Sequence, residues 1–419
     1  MLVTVLISFI VLFLAWKKPI IALAVLLQTN LIRSLVEINL SGLCFNCLNK
    51  PNIVLGVVIP IVSFALIVIK VSFKSAKFKY KLDVFDGFFI LTTFALLLST
   101  LYAPNFIEAI DYTSRFILLG GSFYFISKFI LQNKGSVDFL LKKFFKASLV
   151  LAFTLGSIAL FLVIYSGQDI VRLTLPGVHP IPFSQLIGLA LLISFVIFYS
   201  NGKVLQIGNK WYLKMNNILF IYFTILLFAT NTRGVLFSAI VALLIFLALN
   251  IKKVKKVNLY IYGSILAVVI VVLVINIDVE ILFSRLLNSA TDKSVSDRLI
   301  AYNDSIRILF EHPFGTGTNG FKYYSILEYP HNFILENMSQ FGILGVILNI
   351  YFLLMMFYMF LITIRYRKKD MIIVFLFSIF CYFMIETMFS FTLWMHKGMY
   401  LSLGLFAGYY HVLKRRSTI

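Results

Sequence analysis

Residues 294–345 read SVSDRLIAYNDSIRILFEHPFGTGTNGFKYYSILEYPHNFILENMSQFGILG. Nearly everything outside this stretch is apolar run or short basic connector. Within it lie Arg298, Arg307, Glu311, His312, Glu328, His331 and Glu336, a glycine-rich turn and a cluster of aromatics. A polar island of this length between apolar runs marks a segment that leaves the membrane, where water and polar substrates have access. The rest of the chain then reads as the scaffold holding it.

The composition supports this. Of 419 residues 61% are hydrophobic and only 13% charged, and the mean hydropathy is +0.96. Soluble domains are about half apolar and about a quarter charged, so a soluble fold is excluded and a polytopic helical membrane protein is implied. Apolar runs fall at about 2–15, 19–32, 52–69, 84–103, 112–130, 147–166, 181–199, 217–231, 234–250, 258–276, 341–364, 371–390 and 398–413. Most have the ~20 residues a helix needs to cross the hydrocarbon. Lys17-Lys18-Pro19 between the first two is either a tight turn or a break in one tilted element. The expected fold is therefore an all-α membrane bundle of about twelve or thirteen transmembrane helices. It forms a single domain over residues 1–419, with one large loop at 277–340 carrying short amphipathic helices.

The net charge of +20 does not indicate nucleic acid. Most of the basic residues lie in alternate connectors: Lys17/Lys18, Lys70–Lys81, Lys128–Lys146, Lys203–Lys214, Lys252–Lys256, Arg365–Lys369 and Lys414–Arg416. That bias assigns these connectors to the cytoplasm and turns the island outward, together with the loop at Arg172, the hairpin tip at Arg233 and the turn at His396-Lys397. The first apolar run lacks a basic n-region and a small-residue cleavage site, so no cleavable signal peptide is expected. Cys44 and Cys47 form a lone C-x-x-C, half a zinc site at most, so no metal is expected, and their pairing as a disulfide stays open.

In the island, Ser294 with Asp297 reads as a helix cap. Val295, Leu299, Tyr302, Ile306 and Leu309 then recur at helical spacing until Pro313 ends the run. Arg298 and Arg307 are either solvated, headgroup-facing charges or substrate ligands. Phe314–Gly320 is either a plain turn or a backbone nest for an anion; no G-K-[ST] follows, so it is not a P-loop. Phe321, Tyr323, Tyr324 and Tyr329 suit stacking on sugars or anchoring at the interface. His331 stands at a polar-to-apolar boundary, where its pKa can be tuned across neutrality. Asn332 and Glu336 are its nearest orienting candidates. Gly342, eleven residues on, would share a helix face with it, and Gly342 and Gly345 would admit a closely packed neighbour.

Arginines at or below the interface are costly unless paired. Arg172, Arg233 and Arg115, the last just after Asp111, therefore read as anion ligands or as salt-bridge partners. Guanidinium forks converging on one outward cavity suit a diphosphate. Glu386, deep in a span, is the residue a proton-coupled transporter would need.

TNTRG at the hairpin tip, RLIAY followed by HPFGTGTNGF, and then HNFILENMSQFGILG together resemble the O-antigen ligase and O-antigen polymerase superfamily, in motif detail over roughly 170–350. The resemblance implies an inverting, metal-independent glycosyltransferase of the bacterial inner membrane, without cofactor, whose active site faces the periplasm. Its donor would be an undecaprenyl-diphosphate-linked oligosaccharide. It implies His331 as general base, and Arg172 and Arg233 as ligands of the lipid diphosphate with Arg298 a further candidate. Arg115, Asn332, Glu336, Tyr323 and Tyr324 would support them. A polymerase, joining repeat units carried on the same lipid and working with a chain-length regulator protein, is the first expectation. A ligase transferring glycan to lipid A-core is the second, and a precursor transporter or flippase is the competitor from a different class.

Overall fold

The computed structural model describes residues 2–29, 31–32, 57–74, 80–133, 137–166, 172–175, 178–200, 202, 210–250 and 293–417. Cys44, Cys47, the apolar run at 258–276 and the first part of the 277–340 loop lie outside the described residues.

The chain is all-helical, with no strand among the described residues. In order, the helices are α1 (Leu2–Lys17), α2 (Pro19–Leu27), α3 (Ile59–Lys74), α4 (Val84–Thr100), α5 (Phe106–Arg115), α6 (Ser122–Asn133), α7 (Val137–Ser166) and α8 (Pro180–Tyr199). There follow α9 (Lys210–Ala229), α10 (Arg233–Asn250), α11 (Lys293–Glu311), α12 (Phe333–Phe341), α13 (Ile343–Tyr366), α14 (Met371–Thr387) and α15 (Lys397–Ser417). A π-helical turn at Phe116–Gly121 joins α5 to α6. Among the described residues, six helical segments are long and apolar enough to cross a membrane: Phe106–Asn133, Val137–Tyr165, Pro180–Tyr199, Trp211–Ala229, Arg233–Asn250 and Ile343–Tyr366. Shorter apolar helices lie at Val5–Lys17, Ile59–Phe73, Val84–Thr100 and Met371–Thr387. This is the polytopic helical membrane protein that the hydropathy requires. At Lys18 the first helix ends, and Pro19 opens α2, since its ring is preset for the first turn of a helix but cannot donate within one.

The chain divides into two compact units, each assembled from separate segments. The first holds Met1–Ala76, Lys134–Asn288 and Lys369–Ile379. Here α8, with buried Leu186, Ile187, Leu189, Ala190 and Ile193, packs against α7, α9 and α10. A helix apolar on all sides can be covered by protein or by lipid, and here neighbouring helices cover most of it.

The second unit holds Lys77–Asn133, Ser289–Lys368 and Phe380–Ile419. Its spine is α6 against α15. Gly404 and Gly408, one helical turn apart, press onto α6 so closely that a Cβ at Gly404 would strike Ser127 and the Tyr124 carbonyl. Small residues at this spacing let two backbones approach within a membrane. Lys128, which the charge pattern assigns to a basic connector, lies within α6 instead, its side chain wholly buried. Its Nζ is 2.5 Å from Asp86 Oδ2 and 2.9 Å from Asp83 Oδ2. Tyr80 and Tyr124 hydroxyls donate to Asp86 Oδ1 at 2.5 and 2.9 Å, and His411 Nε2 of α15 lies 2.6 Å from Asp83 Oδ2. Asp83 is also the N-cap of α4, accepting from the Phe85 and Asp86 amides. One cluster thus ties α4, α6 and α15 together.

Candidate functional site

The candidate residues fall in both units. In the first, Arg172 is exposed in the segment before α8, and His179 caps that helix, its Nδ1 accepting from the Ile181 amide at 3.3 Å. Partial burial and, after it, the Arg172 guanidinium lower the His179 pKa below its ordinary value. The Leu173 amide donates to the Ala229 carbonyl at 2.8 Å. This bond fastens the Arg172 segment to the end of α9, directly before the Thr230-Asn231-Thr232 turn. Asn231 takes a left-handed φ of +47° there, reversing the chain within so few residues that Arg233 becomes the first residue of α10. Arg172 and Arg233 are therefore carried on adjoining segments at one end of this unit.

Arg115, Arg298, Tyr323, Tyr324, His331, Asn332 and Glu336 belong to the second unit. His331 lies outside any helix, with φ +56°. A histidine held in the left-handed region stores strain that its surroundings must offset, and such residues concentrate at functional sites. The hold is visible. Asn332 is the N-cap of α12, its side-chain oxygen accepting from the Ile334 and Leu335 amides at 3.0 and 3.1 Å, and its Nδ2 donates to the Met388 carbonyl at 3.3 Å. The Tyr329 ring packs against His331 with centroids 4.3 Å apart. Asn332 thus supports the histidine through the backbone.

The expectation that His331 and Gly342 share one helix face is overturned. Helix α12 starts only at Phe333 and stops at Gly342, whose φ of +60° and ψ of −131° break the chain from α13. The neighbour that the glycines admit is the island itself. A Cβ at Gly342 would collide with the Pro313 carbonyl, and one at Gly345 with the Asn337 carbonyl, so α12 folds back onto the start of α13. Asn337 Nδ2 donates to Asn349 Oδ1, and Asn349 Nδ2 to the Ile334 carbonyl, both at 2.9 Å, bracing that fold.

The glycine-rich turn serves the same corner. The Thr316 amide donates to the Ser339 carbonyl at 2.9 Å, the Gly317 amide to Gln340 at 3.1 Å and the Thr318 amide to Ser99 at 3.4 Å. The first two satisfy open carbonyls at the end of α12, and the third satisfies one at the end of α4. The donors an anion nest would use are spent on capping, which favours the plain-turn reading. Gly315 and Gly317, at φ +83° and +82°, make the turn possible.

Helix α11 is present and ends at Glu311 before Pro313, but Ser294 lies inside its first turn rather than ahead of it. Its buried face is Ala301, Ser305 and Ile308, packed on Phe321 with Tyr302 and Leu327, whereas Leu299 and Ile306 are exposed. The close contact uses small side chains, which a reading weighted toward large apolar residues passes over. Arg298 is half-buried on the side of Ala301 and Ser305. The Tyr324 ring packs at a tilt against His312 with centroids 4.5 Å apart, and its carbonyl accepts from Arg307 at 2.9 Å. The Tyr323 ring lies 5.4 Å from Lys322 Nζ. Arg115 pairs with Asp111 through both nitrogen–oxygen contacts, at 3.0 and 2.9 Å, and sits over the Trp394 ring at 5.0 Å. It has the geometry of the salt-bridge alternative.

Glu336 is wholly buried and receives four donors: the Tyr112 hydroxyl at 2.6 Å, Gln340 Nε2 at 3.0 Å, the Leu393 amide at 2.9 Å and the Thr392 hydroxyl. It therefore clamps α5 and the 392–395 turn onto α12. Nothing in the sequence marks Tyr112 or Thr392, over fifty positions away, as partners; only Gln340, one turn along α12, is legible. His396, beside this turn, is buried with its ring 6.1 Å from Phe333, and burial pushes its pKa down to about 3, so it is neutral.

Burial raises the Glu336 pKa from 4.5 to about 7, against the opposing pull of its hydrogen bonds. The folded protein then keeps a proton that the unfolded chain has lost, so stability falls as pH climbs from about 4.5 to about 7. Thermal unfolding of the detergent-solubilised protein should show Tm dropping across that window. Glu336→Gln should flatten the slope, and equal slopes in the two proteins would refute the assignment.

Compared with known proteins, residues 218–350 match the O-antigen ligase family. No curated protein and no solved structure matches the chain. The matched segment begins in α9, carries Arg233 at the hairpin and ends in α13 beyond His331. With the multi-pass helical architecture around it, this matched domain at 218–350 supports a place for the chain in the O-antigen ligase and polymerase superfamily.

Proposed function

We propose that the protein is a surface-polysaccharide polymerase of the bacterial inner membrane, joining undecaprenyl-diphosphate-linked repeat units on the periplasmic face. The observation carrying this reading is that one family match, 218–350, includes both Arg233 and His331. The charge bias of the connectors supports the outward orientation.

His331 accepts the proton of an acceptor sugar hydroxyl. The freed oxygen attacks the anomeric carbon of the donor from the face opposite the diphosphate. The anomeric C–O bond breaks, its electron pair leaves on the diphosphate, and configuration inverts. Arg172 and Arg233, with Arg298 as a further candidate, offset the charge that grows on the leaving diphosphate, so departure requires no divalent ion. Tyr323 and Tyr324 offer faces for sugar stacking. Asn332 and Glu336 hold the histidine's segment in place, and Arg115 shapes the neighbouring turn. A chain-length regulator is the partner this reaction would need.

The name of the matched family favours a second reading, a ligase delivering glycan to lipid A-core. Only the acceptor separates the two. In cells lacking the native gene, complementation by a polymerase restores a glycan ladder, with single repeats on lipid A-core in its absence. Complementation by a ligase instead moves long chains already present on the carrier lipid to lipid A-core. Restoration of neither pattern would argue against both.

Arg233→Ala is expected to lower transfer ~10²-fold, the scale of losing one preorganised donor to a developing anion, and Arg233→Lys to recover only part because the planar fork is gone. Initial rates with a synthetic lipid-diphosphate donor measure this. Equal rates in Arg233→Ala and wild type would remove the residue from the diphosphate site.

A further inference from the structure

Helix α11 has two apolar faces, and only one is packed against other described residues. Ala301, Ser305 and Ile308 are buried against Phe321, and the Tyr302 hydroxyl donates to the Met388 carbonyl at 3.2 Å, so the rotation of the helix is fixed. On the opposite side Leu299, Ile306 and Phe310 align at spacings of seven and four and are 57%, 46% and 78% exposed; Phe314, just beyond the helix, is 82% exposed. At 1.5 Å per residue the helical part of this stripe runs about 16 Å. A contiguous exposed apolar strip of that kind marks an interaction surface.

The neighbouring contacts say what covers it. The Pro313 carbonyl accepts from the Ile343 amide at 2.8 Å, and the Phe314 carbonyl from the Tyr102 hydroxyl at 2.7 Å. Ile343 is the first residue of the membrane span α13, whose Ile343, Ile347, Ile350 and Leu354 are exposed. Tyr102 follows α4, an apolar helix whose Leu97 and Leu98 are exposed, as is Leu101 just past its end. In a membrane protein these surfaces face lipid, and both elements meet the turn at their ends. The end of α11 is thereby pinned to the membrane–water boundary, and its free stripe continues the lipid-facing belt of α4 and α13. Arg307, 52% exposed at the edge of the stripe, is placed at headgroup level.

We infer that α11 lies along the membrane–water boundary with Leu299, Ile306, Phe310 and Phe314 seated in the lipid of that leaflet. An amphipathic helix of this kind buries its apolar face about 5–10 Å below the headgroups. The helix that ends at the glycine-rich turn is then held from both sides, by the protein and by the bilayer. This holds whichever acceptor the enzyme uses.

The test is site-directed spin labelling of the full chain in phosphatidylcholine–phosphatidylglycerol nanodiscs, with Cys44 and Cys47 replaced by serine. Nitroxides at Ile306→Cys and Phe310→Cys are compared with Ser296→Cys and Glu311→Cys, all at exposed positions where a label need not disturb packing. The expected result is oxygen accessibility several-fold above that of a water-soluble nickel chelate at 306 and 310, reversed at 296 and 311. Nickel accessibility at 306 and 310 equal to that at 311 would place the stripe in water and overturn the proposal. So would dipolar broadening at 306 that grows with protein copies per disc, since a second copy would then cover the stripe.

Discussion

His331→Ala is expected to abolish detectable glycan transfer, with a fall of ~10²–10⁴-fold, the contribution of a positioned general base. The expectation rests on three features: the histidine's place within the matched family segment, its left-handed backbone, and the cap and carbonyl contacts of Asn332 that hold it. Folding should survive, because the side chain is only half-buried and α12 starts after it. Alanine keeps the φ +56° strain without adding bulk. The measurement is initial rate per folded protein, with membrane insertion and Tm taken as controls. An inactive variant with wild-type Tm supports the base role; an unchanged rate removes it. His331→Gly would relieve the strain while still lacking the ring, so it should be equally inactive and no less stable.

Lys128→Met is expected to have the largest effect on stability. The ammonium is wholly buried between Asp83 and Asp86, 2.9 and 2.5 Å away. Methionine fills the volume but removes the ammonium between two neighbouring carboxylates, leaving Asp86 with only the Tyr80 and Tyr124 hydroxyls and Asp83 with His411 and the α4 amides. Breaking one side of a buried pair costs about 3–5 kcal/mol. Chemical or thermal unfolding in detergent should register this as a large drop, with loss of the α6–α15 packing around Gly404 and Gly408. Asp86→Asn added to Lys128→Met should return part of the loss by removing one uncompensated charge. A Lys128→Met protein as stable as wild type would mean that the cluster does not carry the unit.

The sequence and the structure agree most closely where one dimension suffices. Spans are long apolar runs, and Pro313 stops α11 because it cannot donate within a helix. The tip at Asn231 and Arg233 is short because two spans leave it no length. The island was legible as the place where polarity returns, and His331 as a lone imidazole at its edge. What was not legible depends on residues distant in sequence. Glu336 looks like an orienting partner of His331, yet its carboxylate is filled by Tyr112, Thr392, Gln340 and the Leu393 amide. Lys128 looks like a connector charge because hydropathy cannot reveal that Asp83 and Asp86, over forty residues earlier, compensate it. The break at Gly342 hides for another reason. A glycine in an apolar run fits a continuing helix equally well, and only the approach of the Pro313 carbonyl shows that the chain turns there. On α11 the buried face is hard to read from sequence because alanine and serine carry little hydropathy while allowing the closest approach.

The central claim is glycosyl transfer from a lipid diphosphate with His331 as base, and reconstitution tests it most directly. The purified chain in proteoliposomes is given an undecaprenyl-diphosphate-linked repeat unit in the presence of EDTA, and the free carrier diphosphate is followed alongside the lengthened glycan. The account predicts that both products appear together, one carrier released per bond made, and that neither appears with His331→Ala. Absence of carrier release from the wild-type protein, or equal release from His331→Ala, would contradict it.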